Sequence, residues 1–127
     1  MVAALLLVVV SFAEAWSQDG FPNRPIRVVN PYSVGSVADV FGRIATQHMA
    51  AQWKASIILE SKSGANGSIA AEDVARAEPD GYTWLLVTTF FTTSPSLNLV
   101  MRWDPMRDFA PVMLAVSSPN KIGRAHV

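Results

Sequence analysis

Two short loops carry the residues best suited to chemistry. They are Pro31 to Ser36 (PYSVGS) and Ser61 to Gly67 (SKSGANG), and each runs into a stretch of helical periodicity. A helix N-terminus presents unpaired N–H groups and about half a positive charge, so a loop entering one can hold an anion without a cationic side chain. Glycine lets such an anion come close to the backbone. Gly35-Ser36 and Gly64-Ala65-Asn66-Gly67 both meet this need, while Ser33, Ser36, Asn66 and Ser68 add hydroxyl or amide groups. The same residues serve equally well as plain turns and caps, which is what Gly and Asn usually make.

Other chemistries need words that are absent. A P-loop requires G-x-x-x-x-G-K-[ST], the dinucleotide fingerprint requires G-x-G-x-x-G after the first strand, and neither occurs. The hydrolase elbow G-x-S-x-G is missing too. His48 falls on the margin of an apolar helix face, where a partly buried structural role is expected, and His126 is in the tail. Asp39 is the only carboxylate beside a candidate ligand loop, and its main expected role is as a helix cap. Arg43, one turn further on, reads as a solvated face residue. Trp84 and the Phe90-Phe91 pair are placed either to shield a ligand or to pack the core. A small α/β enzyme or nucleotide-binding domain using these loops is the rival reading; it needs a catalytic base or a phosphate-binding lysine after the glycines, and the sequence supplies neither.

The elements that must position these loops follow from the pattern. Ile26 to Asn30 (IRVVN) and Ser56 to Glu60 (SIILE) are short, branched and apolar, as buried strands are, and Thr83 to Thr88 (TWLLVT) is a third. Val37, Val40, Phe41, Ile44, Ala45 and Met49 recur at helical spacing, predicting a first helix from Val37 to about Trp53 with that face inward. Ser36 and Asp39 stand three apart at its start, as in a capping box. A second helix is predicted from Ser68, with Ile69, Ala70, Val74 and Ala77 on one face, ending at Glu78 because Pro79 follows. Pro79-Asp80-Gly81 is a turn. The βαβαβ order implies an α/β fold with a parallel sheet and right-handed crossovers. In such sheets ligands sit beyond the carboxyl ends of the strands, which adds a third candidate segment, Thr88 to Ser96 (TTFFTTSPS), with Thr88 and Thr89 as its hydroxyl donors.

With 127 residues, half of them hydrophobic, the chain is the size of one globular unit. Ten basic and ten acidic residues give zero formal charge, which leaves no footprint for nucleic acid or an anionic membrane. The absence of cysteine excludes a disulfide framework, a thiol nucleophile and Cys-ligated zinc. No cofactor is implied. The apolar run Val2 to Val10 is too short to cross a bilayer of about 30 Å. With Ala13-Glu14-Ala15 as a cleavage site, it reads as a secretory signal over residues 1–15, incomplete at its N-terminus because no Lys or Arg precedes the run.

Three longer stretches, FPNRPIRVVNPYSVGSVADVFGR, SGANGSIAAEDVARAEPDGYTWLL and WDPMRDFAPVMLAVSSPN, resemble in order and spacing the extracytoplasmic solute receptors of tripartite tricarboxylate transporters, the Bug family. The likeness runs from Phe21 to about Asn120. It implies a type II periplasmic-binding-protein-like fold, with two α/β lobes closing on a small carboxylate-bearing solute and passing it to membrane permease subunits. It implies no enzyme activity, a periplasmic location and a monomer. The family's first loop reads roughly P-F-x-x-G-G-x-[ST]-D, and its backbone and hydroxyl groups help hold one end of the solute. Pro31, Tyr32, Gly35 and Asp39 match it, whereas Ser36 replaces the usual second glycine and Ala38 the usual hydroxyl. Tyr32, Ser33, Gly35, Ser36, Asp39, Asn66, Thr88 and Thr89 are therefore the expected ligand-binding residues. Near the third strand the family tends to small residues, where this chain has Phe90 and Phe91.

Members of that family run to about twice this length or more, as two lobes require. Residues 16–120 are accordingly expected to form part of a first lobe, unable to bind alone. Residues 121–127 (KIGRAHV) bear no likeness to the family, and Ile122 to Val127 is what a common sequencing adapter encodes in one frame, so an artefactual tail is expected there.

Overall fold

The structure is a computed structural model that describes residues 20–97 and 101–117. The expected leader at 1–15 and tail at 121–127 lie outside the described residues. Three parallel strands form the sheet: β1 (Ile26–Asn30), β2 (Ile57–Ser61) and β3 (Thr83–Leu85), in the order β2-β1-β3. Ile26 pairs with Ile57 and Asn30 with Ser61 on one side, and Val28 pairs with Trp84 on the other. The connections are α1 (Val37–Trp53) between β1 and β2, and α2 (Ser68–Ala75) between β2 and β3. After β3 comes a short helix, α3 (Thr89–Thr93), continued by a 3-10 turn over Ser94–Leu97.

Side chains alternate across a strand, so paired residues share a face. Ile26, Val28, Ile57, Leu59, Trp84 and Leu86 make the core under α1, and Trp53 at the end of that helix meets Trp84 edge to face at 6.0 Å. Arg27, on the opposite face, forms ion pairs with Glu60 and with Asp73 of α2. Lys62 joins the same two carboxylates. The two helices thus cover opposite faces of the sheet, as successive right-handed crossovers to either side of β1 require.

The expected α/β fold and element order are found, with local differences. The first helix has the predicted bounds, but its inward side is not the predicted one. Asp39, Gly42 and Thr46 face the sheet, while Val37, Val40 and Ile44 are 88%, 50% and 63% exposed. Close approach decides this: a Cβ on Gly42 would stand only 3.1 Å from Leu86 and 3.3 Å from Leu59, so the helix rests on its smallest residue. The second helix stops at Ala75, short of Glu78, because its last turn tightens, with Ala77 N–H donating to the Val74 carbonyl at 3.0 Å. Its buried residues are Ala70 and Ala71, and Ile69 is half exposed. The third strand pairs over three residues rather than six, although Leu86 N–H still donates to Val29 O at 2.9 Å. Beyond it, Phe91 stacks on Trp103 with centroids 5.0 Å apart, and Phe109 closes edge-on against both rings.

Candidate functional site

The site grows from the ends of β1 and β2. Asn30 is fully buried, and its amide donates to Asp39 Oδ1 at 3.2 Å and to Ser61 Oγ at 3.3 Å. Its Oδ1 accepts from Tyr32 N–H at 3.2 Å, which turns the chain out of the sheet into the first loop. Ser61 Oγ donates to Asp39 Oδ1 at 3.1 Å. On its other side, Asp39 accepts from Gly35 N–H at 2.9 Å and from the Arg43 guanidinium at 2.9 and 3.2 Å. Arg43, followed by the Gly35 amide, holds this carboxyl down to about 2. Asp39 is therefore a charged, fully bonded anchor of the first loop.

The mouth of α1 is capped as expected on one side only. Ser36 Oγ accepts from Asp39 N–H at 3.2 Å. The reciprocal bond of a capping box goes one residue back, since Asp39 accepts from Gly35 rather than Ser36; the Ser36 N–H instead donates to Ser33 O at 3.1 Å. The N–H groups of Val37 and Ala38, the first two of the helix, have no acceptor among the described residues. Ser33 and Gly35 are exposed beside them. Nothing lies within 4 Å of the place a Cβ on Gly35 would take. An open helix mouth with free donors is what an anion binds.

The second loop is built differently. Four successive residues have positive φ: Gly64 at 137°, Ala65 at 44°, Asn66 at 52° and Gly67 at 87°. A Cβ on Gly67 would sit 2.6 Å from two ring carbons of Phe90, and one on Gly64 would sit 2.6 Å from Cδ1 of Ile69. These glycines were expected to admit an anion, but the space beside them is filled by apolar side chains. Asn66 is exposed at the turn.

The third segment closes the group. Tyr32 from the first loop hydrogen-bonds through its hydroxyl to Thr88 Oγ1. Its ring meets Phe90 edge to face at 6.0 Å, and Phe90 in turn covers Gly67. Thr88 precedes α3, whereas Thr89 is exposed, with its carbonyl accepting from the hydroxyls of Thr92 and Thr93 at 2.9 and 3.1 Å. All three loops therefore meet at the carboxyl edge of the sheet, with Tyr32, Gly67, Thr88 and Phe90 in contact. Arg43, expected on the solvated face, is half exposed yet tied to Asp39. His48 is exposed, not partly buried. Sequence reasoning missed Asn30 and Ser61. The available signal was a pair of polar residues at the carboxyl ends of two strands that must pair in register.

A parallel α/β unit whose strand-to-helix loops gather at one edge around an open helix mouth is a ligand-binding architecture. Residues 41–124 match the TctC family, the tripartite tricarboxylate transporter family receptors, and the chain belongs to that family. A UPF0065 protein of Bordetella pertussis is 40% identical over 113 residues, covering 87% of this chain and 34% of that protein. The solved periplasmic binding protein BugD superposes with a TM-score of 0.67 at 36% identity, covering 72% of this chain and 30% of BugD. MatC of Rhodopseudomonas palustris, solved with bound malate, gives 0.66 at 36% identity, covering 72% of this chain and 32% of MatC. The chain spans about a third of the length of the curated relatives it matches. Its fold is that of periplasmic binding proteins, and members of its family are solute-binding receptors.

Proposed function

We propose that this chain is the ligand-facing part of the first lobe of a non-enzymatic solute receptor. The receptor is exported to the periplasm by its leader, is monomeric, takes up a small carboxylate and delivers it to a tripartite tricarboxylate-type permease. In this reading Val37 and Ala38 N–H groups receive the carboxylate, helped by Ser33, Ser36 and the open backbone at Gly35. Tyr32, Thr88 and Thr89 border the solute from the side and Asn66 from the second loop, while Asp39 holds the first loop in shape. The observation that carries the proposal is the open α1 mouth at the point where the three loops meet. Malate in the MatC structure supports the ligand class.

Val37→Pro tests it cleanly. Proline is at home in the first position of a helix, and Ser36 before it already has the extended backbone (φ −67°, ψ 162°) that a following proline demands. The change removes one N–H and alters the exposed Val37 side chain, for which Val37→Ala is the control. It is best made in a hybrid receptor in which residues 20–117 replace the matching segment of MatC. A hydrogen bond to a charged group contributes about 1.5–3 kcal/mol, so isothermal titration is expected to show at least about a tenfold loss of carboxylate affinity with the melting temperature unchanged. Undiminished affinity would remove the helix mouth from the site.

A further inference from the structure

The three glycines at the ligand edge have unlike surroundings, and the contrast bears on what the site selects. Beside Gly35 the space is empty to 4 Å. Beside Gly64 and Gly67 it is taken by Ile69 Cδ1 and by the ring of Phe90, each 2.6 Å from where a Cβ would stand. Glycine is favoured at those two positions by φ of 137° at Gly64 and 87° at Gly67, and an apolar side chain lies against the backbone at each. Phe90 is held from the other side by Tyr32, edge-on at 6.0 Å, and Tyr32 is bonded to Thr88 in the strand-end segment that leads into Phe90. The ring is a wedge fixed between the first and second loops.

Consequently the two helix mouths are not equivalent. At α1 the free N–H groups face open space. At α2 an anion would lie against the apolar side chains of Phe90 and Ile69 and lose hydration there, which is unfavourable. An apolar group in the same place would gain by burying its surface against the ring and the isoleucine.

The geometry points to Phe90 as the specificity-determining residue of this site: it turns the second helix mouth into an apolar wall, so that the receptor takes a monocarboxylate with an aromatic or branched alkyl body in preference to a dicarboxylate. This rests on the carboxylate-receptor reading above and narrows it.

The test uses malate and 3-phenylpropionate as probes, by isothermal titration on the hybrid receptor and its Phe90→Gly variant, with circular dichroism to confirm that both are folded. The hybrid is expected to bind 3-phenylpropionate at least about tenfold tighter than malate, and Phe90→Gly to reduce that ratio by about tenfold or more. Equal binding of both probes, unmoved by Phe90→Gly, overturns the role of Phe90 and leaves the carboxylate reading standing. A folded hybrid that binds neither probe overturns both. The second arm needs no hybrid: phenylalanine is placed in intact MatC at the position that superposes on Phe90. Malate affinity there is expected to fall about tenfold or more, and an unchanged affinity, or a phenylalanine already present at that position, overturns the inference.

Discussion

Asp39 shows how much one side chain can organise. It joins the end of β1 through Asn30, the end of β2 through Ser61, the first loop through Gly35 and its own helix through Arg43. Arg43 first, then the Gly35 amide and the Ser61 hydroxyl, favour the ionised carboxylate against the opposing effect of burial, which is why its protonation is pushed from the usual 3.8 down to about 2. A carboxyl whose folded-state value is depressed contributes stability above its unfolded value and loses it as pH falls through the folded one. The contribution of Asp39 is therefore complete above about pH 4 and lost between about pH 4 and pH 2. Other carboxylates, Glu60 among them, are also depressed by ion pairs, with Arg27 the first cause there, so wild-type unfolding alone does not isolate Asp39. The difference between wild type and Asp39→Asn does. Denaturant midpoints of the hybrid receptor should differ most at neutral pH and converge toward pH 2; a gap constant across that interval would mean that the charge of Asp39 is not what binds the loop together.

At the scale of elements, the pattern of each segment was legible and its packing was not. The strands and the start of α1 could be read because branched apolar runs and a Ser-x-x-Asp cap have few other uses. The inward face of α1 could not, because periodicity identifies an apolar stripe without saying what it meets. Here Gly42, whose lack of a side chain permits close approach, faces the sheet, and Val37, Val40, Phe41 and Ile44 line an open hollow of about 360 Å³ with Gly35. Nor did Gly-Ala-Asn-Gly reveal that its glycines accommodate Ile69 and Phe90, since that contact joins residues more than twenty positions apart in one case and a helix turn in the other. An apolar stripe of this extent is costly to leave in water, and this chain spans only about a third of the length of the relatives it matches. Val40→Lys combined with Ile44→Lys should therefore act differently in two settings. In the 127-residue chain the pair should barely move the midpoint at which the helix signal is lost, as exposed substitutions do. In the hybrid receptor it should cost about 2 kcal/mol or more, because charges would be buried against the added structure. Equal effects in both would show that nothing in the longer receptor covers this face.

For the molecule as a whole, the ligand edge is one-sided. In the proposed receptor the loops of this chain would supply donors and an apolar wall from one side, and pockets that retain small solutes enclose most of the ligand surface. The segment after the aromatic cluster of Phe91, Trp103 and Phe109 points the same way. Val112, Met113, Leu114 and Val116 are all exposed, in a β-branched and apolar run that would ordinarily be buried in a sheet. A solute at the α1 mouth of the isolated chain would keep much of its hydration, so the few N–H contacts would compete with water on nearly equal terms. Titration of malate or 3-phenylpropionate into the 127-residue chain is accordingly expected to give no affinity tighter than about millimolar, with a broad, poorly cooperative thermal transition, whereas the hybrid receptor binds. Micromolar affinity in the isolated chain would mean that these loops hold the solute unaided, and the proposal that a second lobe helps to retain it would have to be given up.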